Sequence, residues 1–404
     1  MRSSICLTFL FAACGQTVTP GDAGTQLDFT VGRMDAPPET ADLAPVTPPA
    51  TYAVVNTVSS DFTTGAINTV KLADMSVKKA IDTTLSSDND VRCFAGACYV
   101  FDHTKGVITI YDPSTWKAGA QLKTGDATVS AAKSNPHDIY PVPTTSKLYV
   151  TLFNNDAMHA VGVMDSAHPE MGVTKWIALP TAAADSDGNV EADKLHGCGG
   201  MVYVTVEDLN EKNMSTPTGN GRIFVINGST DALDGAPIAL VGQNPTDIVA
   251  DGPGCDIVLL ADASNQFGAI DGTGGIERVD LSQRTSKGMV IKDSALMGHP
   301  FSITRASSTL AYSILNFPDF TAKVVALDPT GGKLLGAASG VGGFIPFARV
   351  TPDGTQLYVG VNSGDPKMGQ VGAGLYIGAA DGKTVVTTGP AIDLGQNPYA
   401  LAFY

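Results

Sequence analysis

From Thr51 onward the chain runs in short apolar, β-branched stretches, each closing on Asp or Asn and then a polar turn, with no sustained 3.6-residue stripe. Seven such endings occur: LAD at Asp74, IYDPST at Asp112, VMDSA at Asp165, VINGST at Asn227, RVDLS at Asp280, ALDPTGG at Asp328 and AADGK at Asp381. Their mean spacing of about 51 residues falls in the range of four-stranded propeller blades. Asp and Asn suit these positions because their short side chains accept from nearby backbone N–H groups and tolerate unusual φ.

A second marker opens most units: Asn135-Pro136-His137-Asp138-Ile139, Asn244-Pro245-Thr246-Asp247-Ile248, His299-Pro300-Phe301-Ser302-Ile303, Ile345-Pro346-Phe347 and Asn397-Pro398-Tyr399. Proline is tolerated at a strand's first residue, where its missing N–H breaks no ladder bond. An apolar strand follows, as in LYVTLF after Lys147, MVYVTV after Gly200, DIVLLAD after Cys255 and LYVGVN after Gln356. The order predicts an all-β, seven-bladed β-propeller of four-stranded antiparallel blades. It also resembles the YVTN-type seven-bladed propellers, which include lactonase-like folds. The likeness runs over about Thr51 to Tyr404 and is closest at TPDGTQLYVGVN from Thr351. Units two and four depart from it, entering through Val91-Arg92-Cys93 and Lys194-Leu195-His196.

The first unit, Tyr52 to Leu85, holds only three strands, and the last residues, NPYALAFY, supply a fourth. The C-terminal strand from Pro398 to Tyr404 is therefore expected to become the innermost strand of blade one, closing the ring and leaving no open edge. Residues 51–404 then form one domain.

Ahead of it, MRSSICLTFLFAAC combines Arg2 with an apolar run too short to span a bilayer, which needs about 20 residues. It reads as an export signal over residues 1–13. Ala12-Ala13-Cys14 resembles the bacterial lipobox, which implies lipidation of Cys14, and Gly15 in place of Asp fits sorting to the outer membrane. Residues 14–50 carry Pro20, Pro37, Pro38, Pro45, Pro48 and Pro49 and no periodicity, the composition of a flexible tether. Its r.m.s. reach is about 30 Å.

Composition narrows the partners. The 404 residues hold 25 Lys+Arg against 40 Asp+Glu, a net charge of -15. Without a basic stripe the chain cannot neutralise phosphates, which excludes nucleic acid, and anionic membrane surfaces are disfavoured on the same ground. Membrane contact is expected through the N-terminal lipid only, and the protein is expected to be monomeric.

With Cys6 in the signal and Cys14 lipidated, Cys93, Cys98, Cys198 and Cys255 remain for an oxidising compartment. Four cysteines allow three pairings. Cys93 and Cys98 flank the turn FAGA between two strands of blade two, a plausible hairpin bridge. Cys198 in HGCGG and Cys255 in GPGCD occupy corresponding turns of neighbouring blades. Zinc is the rival reading of four cysteines, but no Cys-x-x-Cys pair exists.

The connections between each blade's second and third strands are long after Val206, Ala261, Asn316 and Asn362, and binding residues concentrate in such loops. Asp61, Asp102, Asn154, Asp156, Glu207, Asp208, Asp262, Asn362 and Asp365 recur where second strands end, either as a solvated acidic rim or as a surface for a cation or cationic partner. Asp185, Asp187, Asn189, Glu191 and Asp193 alternate with other residues, a plain acidic loop whose spacing would also let oxygen ligands converge on calcium. His137, His196 and His299 open inner strands, where they face the channel mouth as a metal or acid/base site or as polar lining. No nucleophile elbow, His-Glu-x-x-His helix, phosphate loop or dinucleotide fingerprint is present.

The expected function is that of an exported, lipid-anchored binding or scaffolding module of the bacterial envelope, taking a protein or carbohydrate partner on its long-loop face. The alternative, implied by the lactonase-like resemblance, is a hydrolase working in the central channel.

Overall fold

The computed structural model describes residues 50–404, apart from 95, 126–133, 144, 154–160, 183–187, 211–215, 338–341, 365–369 and 383–390. Almost all regular structure is antiparallel strand, sorted by hydrogen bonding into seven blade sheets and one short two-stranded ribbon. Blade two runs outward through Asn89–Phe94, Ala97–Asp102, Val107–Asp112 and Lys117–Lys123. Blades three to six repeat the order from inner strands Pro136–Pro141, Ala192–Cys198, Pro245–Ala250 and His299–Ser307. In blade seven, Phe347–Val350, Gln356–Val361 and Gly374–Ala379 are joined by a bridge between Leu375 and Ile392 at the place of the outer strand.

Ring closure follows the sequence expectation. Asn397–Phe403 pairs with Tyr52–Val58 as blade one's innermost strand, from Ala53 opposite Phe403 to Val58 opposite Asn397. Thr51 N and Tyr52 N donate to Tyr404 O at 2.6 and 2.8 Å, and Tyr404 N donates to Tyr52 O at 2.9 Å, so the last residue is locked to the first strand.

Each blade buries both faces, which is why the strands read as near-continuous apolar runs. The period of 2 divides every strand between two seams. In Lys147–Leu152, Leu148 and Val150 pack toward blade two with Phe101, Ile108 and Ile139, while Tyr149 packs toward blade four with Val204 and Phe224. An apolar cluster of this kind fills each of the seven seams. Core is therefore distributed around the ring. At the seam between blades three and four the fit admits no side chain at Gly197, where an added Cβ would lie 2.0 Å from the Tyr140 ring.

The polar turns behave as their chemistry requires. At Asp74, Asp112, Asp165, Asn227 and Asp328, Oδ1 accepts the N–H two residues on, at 2.8–3.0 Å. Both disulfides lie at hairpins between first and second strands. Cys93–Cys98 spans one hairpin of blade two, and Cys198–Cys255 ties blade four to blade five. Bridges of this kind belong to an oxidising environment. Among the described residues, no helix is long and apolar enough to cross a membrane.

Candidate functional site

Strand direction divides the ring into two faces. Inner strands begin, and second strands end, on the face that also carries the long second-to-third-strand connections. The disulfide hairpins lie on the other face.

At the channel, inner strands place charged residues in register. Asp138 Oδ2 accepts from Arg92 NH1 at 3.1 Å and from the backbone N–H of Leu195 in the next blade at 2.8 Å. Asp247 repeats the device, accepting from Ile303 N of the following blade at 3.1 Å and facing Arg349 at 3.4 Å. Each of these carboxylates also accepts the N–H of its own next residue, Ile139 at 2.7 Å or Ile248 at 2.9 Å. The Asp of the Asn-Pro-x-Asp-Ile entry is thus an inter-blade clasp, a role its recurrence signalled and the sequence reading did not assign. Arg92, Asp138, Lys194, Asp247 and Arg349 are almost entirely buried, so the channel is filled with paired charge at this level.

Nearer the long-loop face, blades two to four assemble a second polar group. The His103 and His137 rings stack with centroids 5.0 Å apart, and His137 stacks in turn on Phe153 at 4.2 Å. Each imidazole has a carboxylate at Nδ1: Asp88 at 2.9 Å for His103 and Asp193 at 3.2 Å for His137. The two rings nevertheless hold opposite charge preferences. Burial and the neighbouring His103 push His137 down to about 4, against the pull of Asp193, so it is neutral near pH 7. Burial also opposes charge on His103, but the Asp88 carboxylate outweighs it and raises the pKa. Lys194 Nζ lies 2.7 Å from Asp193 Oδ1 and, despite the cost of burial, holds that carboxyl far below the usual range. Glu207, buried beside Asp193, is pushed well above its ordinary value by burial and then by that charge. His103 escaped the sequence reading because it follows a second strand, and Asp88 because it precedes the Val91-Arg92-Cys93 entry read for blade two.

This geometry redistributes the expected sites. His137, His196 and His299 have separate partners. His196 Nε2 faces Cys255 O at 2.8 Å beside the disulfide, and His299 lies 3.7 Å from Asp293 and 3.2 Å from Gly268 O. Of the five residues read as calcium ligands, Asp185 and Asp187 lie outside the described residues. Asn189 is half-buried, and two others are engaged internally: Glu191 accepts from Leu209 N at 2.8 Å, and the cation beside Asp193 is Lys194 itself. Among the described residues, no three His, Cys, Asp or Glu side chains form a metal-holding group. Of the acidic rim, Asp102 and Asp262 are buried, whereas Asp61 is exposed; Asn154, Asp156, Asp365 and the lipidation residue Cys14 lie outside the described residues.

No protein-family model and no curated protein sequence matches the chain. Solved structures do. A chain of Kuenenia stuttgartiensis hydrazine synthase aligns at TM-score 0.50 and 12% identity, covering 87% of this chain and 100% of that one. A chain of the mitotic checkpoint complex aligns at 0.48 and 12%, covering 82% and 94%, and the Dos1 propeller at 0.47 and 14%, covering 68% and 66%. At these identities the likeness extends to the fold alone.

Proposed function

We propose that this chain is an envelope lipoprotein, anchored by a lipid on Cys14 and held off the outer membrane by residues 14–50, whose propeller is a binding or scaffolding module. Its partner is a protein or carbohydrate taken on the long-loop face. One observation carries the reading: buried, paired charges occupy the channel, while the connections leaving the second strands at Val206, Asp262, Asn316 and Val361 all start on one face. A rigid ring that displays long loops on one face suits recognition.

The test is crosslinking in cells with a photoreactive residue placed at Thr218, Ala269 or Ser363 on that face, or at Thr309 on the opposite one. A discrete adduct from the first three sites and none from Thr309 supports the reading. Adducts only from Thr309 would reverse the face. Palmitate labelling that persists in Cys14→Ser removes the anchor from the proposal.

The histidine column favours a second reading, hydrolysis at the channel mouth, because carboxylates at both Nδ1 atoms match how a general base is oriented. Loss of lactone hydrolysis in His103→Asn, with the wild-type protein active, would support it.

A further inference from the structure

Seven described large apolar residues stand exposed, and four lie on the long-loop face: Phe62 at 48%, Val241 at 50%, Met297 at 67% and Phe320 at 54%. Three of these four also have left-handed backbone, with φ of +54° at Phe62, +59° at Met297 and +62° at Phe320. That region is adverse for a residue carrying a side chain and open to glycine.

Phe62 and Phe320 occupy the same local motif. In Asp61-Phe62-Thr63 and Asp319-Phe320-Thr321, the Asp Oδ1 accepts both the N–H and the hydroxyl of the Thr, at 3.2 and 2.8 Å in the first and 3.1 and 2.6 Å in the second. Blade five builds this turn with the residue its geometry prefers: Asp271-Gly272-Thr273 has Gly272 at φ +87° and the same pair of hydrogen bonds at 3.0 and 2.6 Å. Blade seven does so with Gly354 at φ +74° in Asp353-Gly354-Thr355. The fold accepts glycine in this turn. At two sites on one face the chain instead displays a half-exposed phenylalanine, adverse for both backbone and solvation.

Phe320 has apolar company. Its ring is 5.0 Å from that of Phe267 on blade five, and Gly298, next to exposed Met297, abuts Phe317 closely enough that an added Cβ would lie 3.1 Å from that ring. Phe267, Met297, Phe317 and Phe320 thus make an apolar patch over blades five and six, with Phe62 a second prong beyond blade seven. Phe62 and Phe320 each follow an Asp, and Asp271 lies in the blade-five loop. Of the basic residues on this face, Lys105 is committed to Asp102 at 2.9 Å and Arg222 to Asp208 at 2.7 Å.

We propose that the two Asp-Phe-Thr turns and the Phe267–Met297–Phe320 patch are the docking surface for a protein partner that presents lysine or arginine around exposed apolar side chains. The proposal rests on the long-loop face being the binding face and names the chemistry it recognises. Hydrogen bonds from Ser59 and Thr63 to Asp61, and from Thr321 to Asp319, hold both carboxyls below their ordinary range and so ionised near neutral pH. The acidic character disfavours an anionic membrane as the occupant and a second copy of this chain, itself at -15, on the same grounds.

The test uses the full chain and a synthetic amphipathic peptide of lysine and leucine, with a glutamate–leucine peptide, polylysine and anionic vesicles as comparisons. The wild-type protein is expected to bind the lysine–leucine peptide above all three, less tightly at high salt. Phe62→Gly/Phe320→Gly and Phe62→Asn/Phe320→Asn are expected to bind about tenfold more weakly or worse. Both should melt at or above the wild-type temperature, since glycine and asparagine suit the left-handed turn. Lower melting temperatures for both variants would make the rings structural and overturn the inference. So would undiminished peptide binding, no binding to the wild type, or preference for vesicles. Undiminished binding in these variants, lost when loop 207–221 is replaced by a short turn, would defeat the docking surface and leave the binding face standing.

Discussion

Buried acids in this propeller have separate fates set by their immediate neighbours. Asp138 and Asp247 clasp the next blade. Asp262 sits fully buried against Glu277, whose carboxylate accepts from Val241 N at 3.0 Å and Gly242 N at 2.8 Å. Burial, then the Glu277 charge, push Asp262 well above 3.8, which favours its protonated form. A carboxyl raised on folding contributes stability below its unfolded pKa, and that contribution disappears as pH climbs through the folded value. Asp262→Asn keeps a donor without the titration. It is expected to hold or raise the melting temperature at pH 7 and to flatten its fall above pH 4; a lower melting temperature at both pH 4 and pH 7 would contradict the assignment. None of this was legible beforehand: Asp262 reads as one more rim acid, and only the blade-five hairpin brings Glu277 onto it.

At the scale of elements, hairpins and turns carried most of the readable information. Asp and Asn turns, Pro strand openings and the cysteine-bearing hairpins are local, so their spacing translated directly into strands and bridges. The two disulfides close segments of very different length, with sequence separations of 5 and 57. Chain-entropy reasoning assigns about 2 kcal/mol to the first and about 4 kcal/mol to the second. Replacing Cys198 and Cys255 by serine should therefore lower stability to chemical denaturation more than replacing Cys93 and Cys98. The reverse order would mean that the blade-two hairpin depends on its bridge for more than loop closure. At Glu191 and Asp193, two of the residues read as calcium ligands, register sets where the side chains go. Once strand Ala192–Cys198 begins, these side chains turn inward to Leu209 N, Lys194 and His137.

The whole molecule depends on one long-range pairing. Asn397–Phe403 hydrogen-bonds blade one, while Leu401 and Phe403 pack with Phe347 and Tyr358 of blade seven and Ala400 and Ala402 with Val91 of blade two. Removing residues 397–404 deletes an inner strand and opens two apolar seams together. Such a chain is expected to lose its single cooperative thermal transition and to become protease-sensitive, checked by calorimetry and limited proteolysis. An unchanged transition would show that the seven seams hold without closure.

Blade number and ring closure were determined by the sequence itself, because each rests on short-range periodicity, turn chemistry or a count of strands. The tertiary structure alone decided which polar groups meet: Asp138 with Leu195, His103 with His137, Asp262 with Glu277, and Phe320 with Phe267. Such partners come from different strands or different blades. Their encounter depends on how the closed ring turns each strand, which no local pattern encodes.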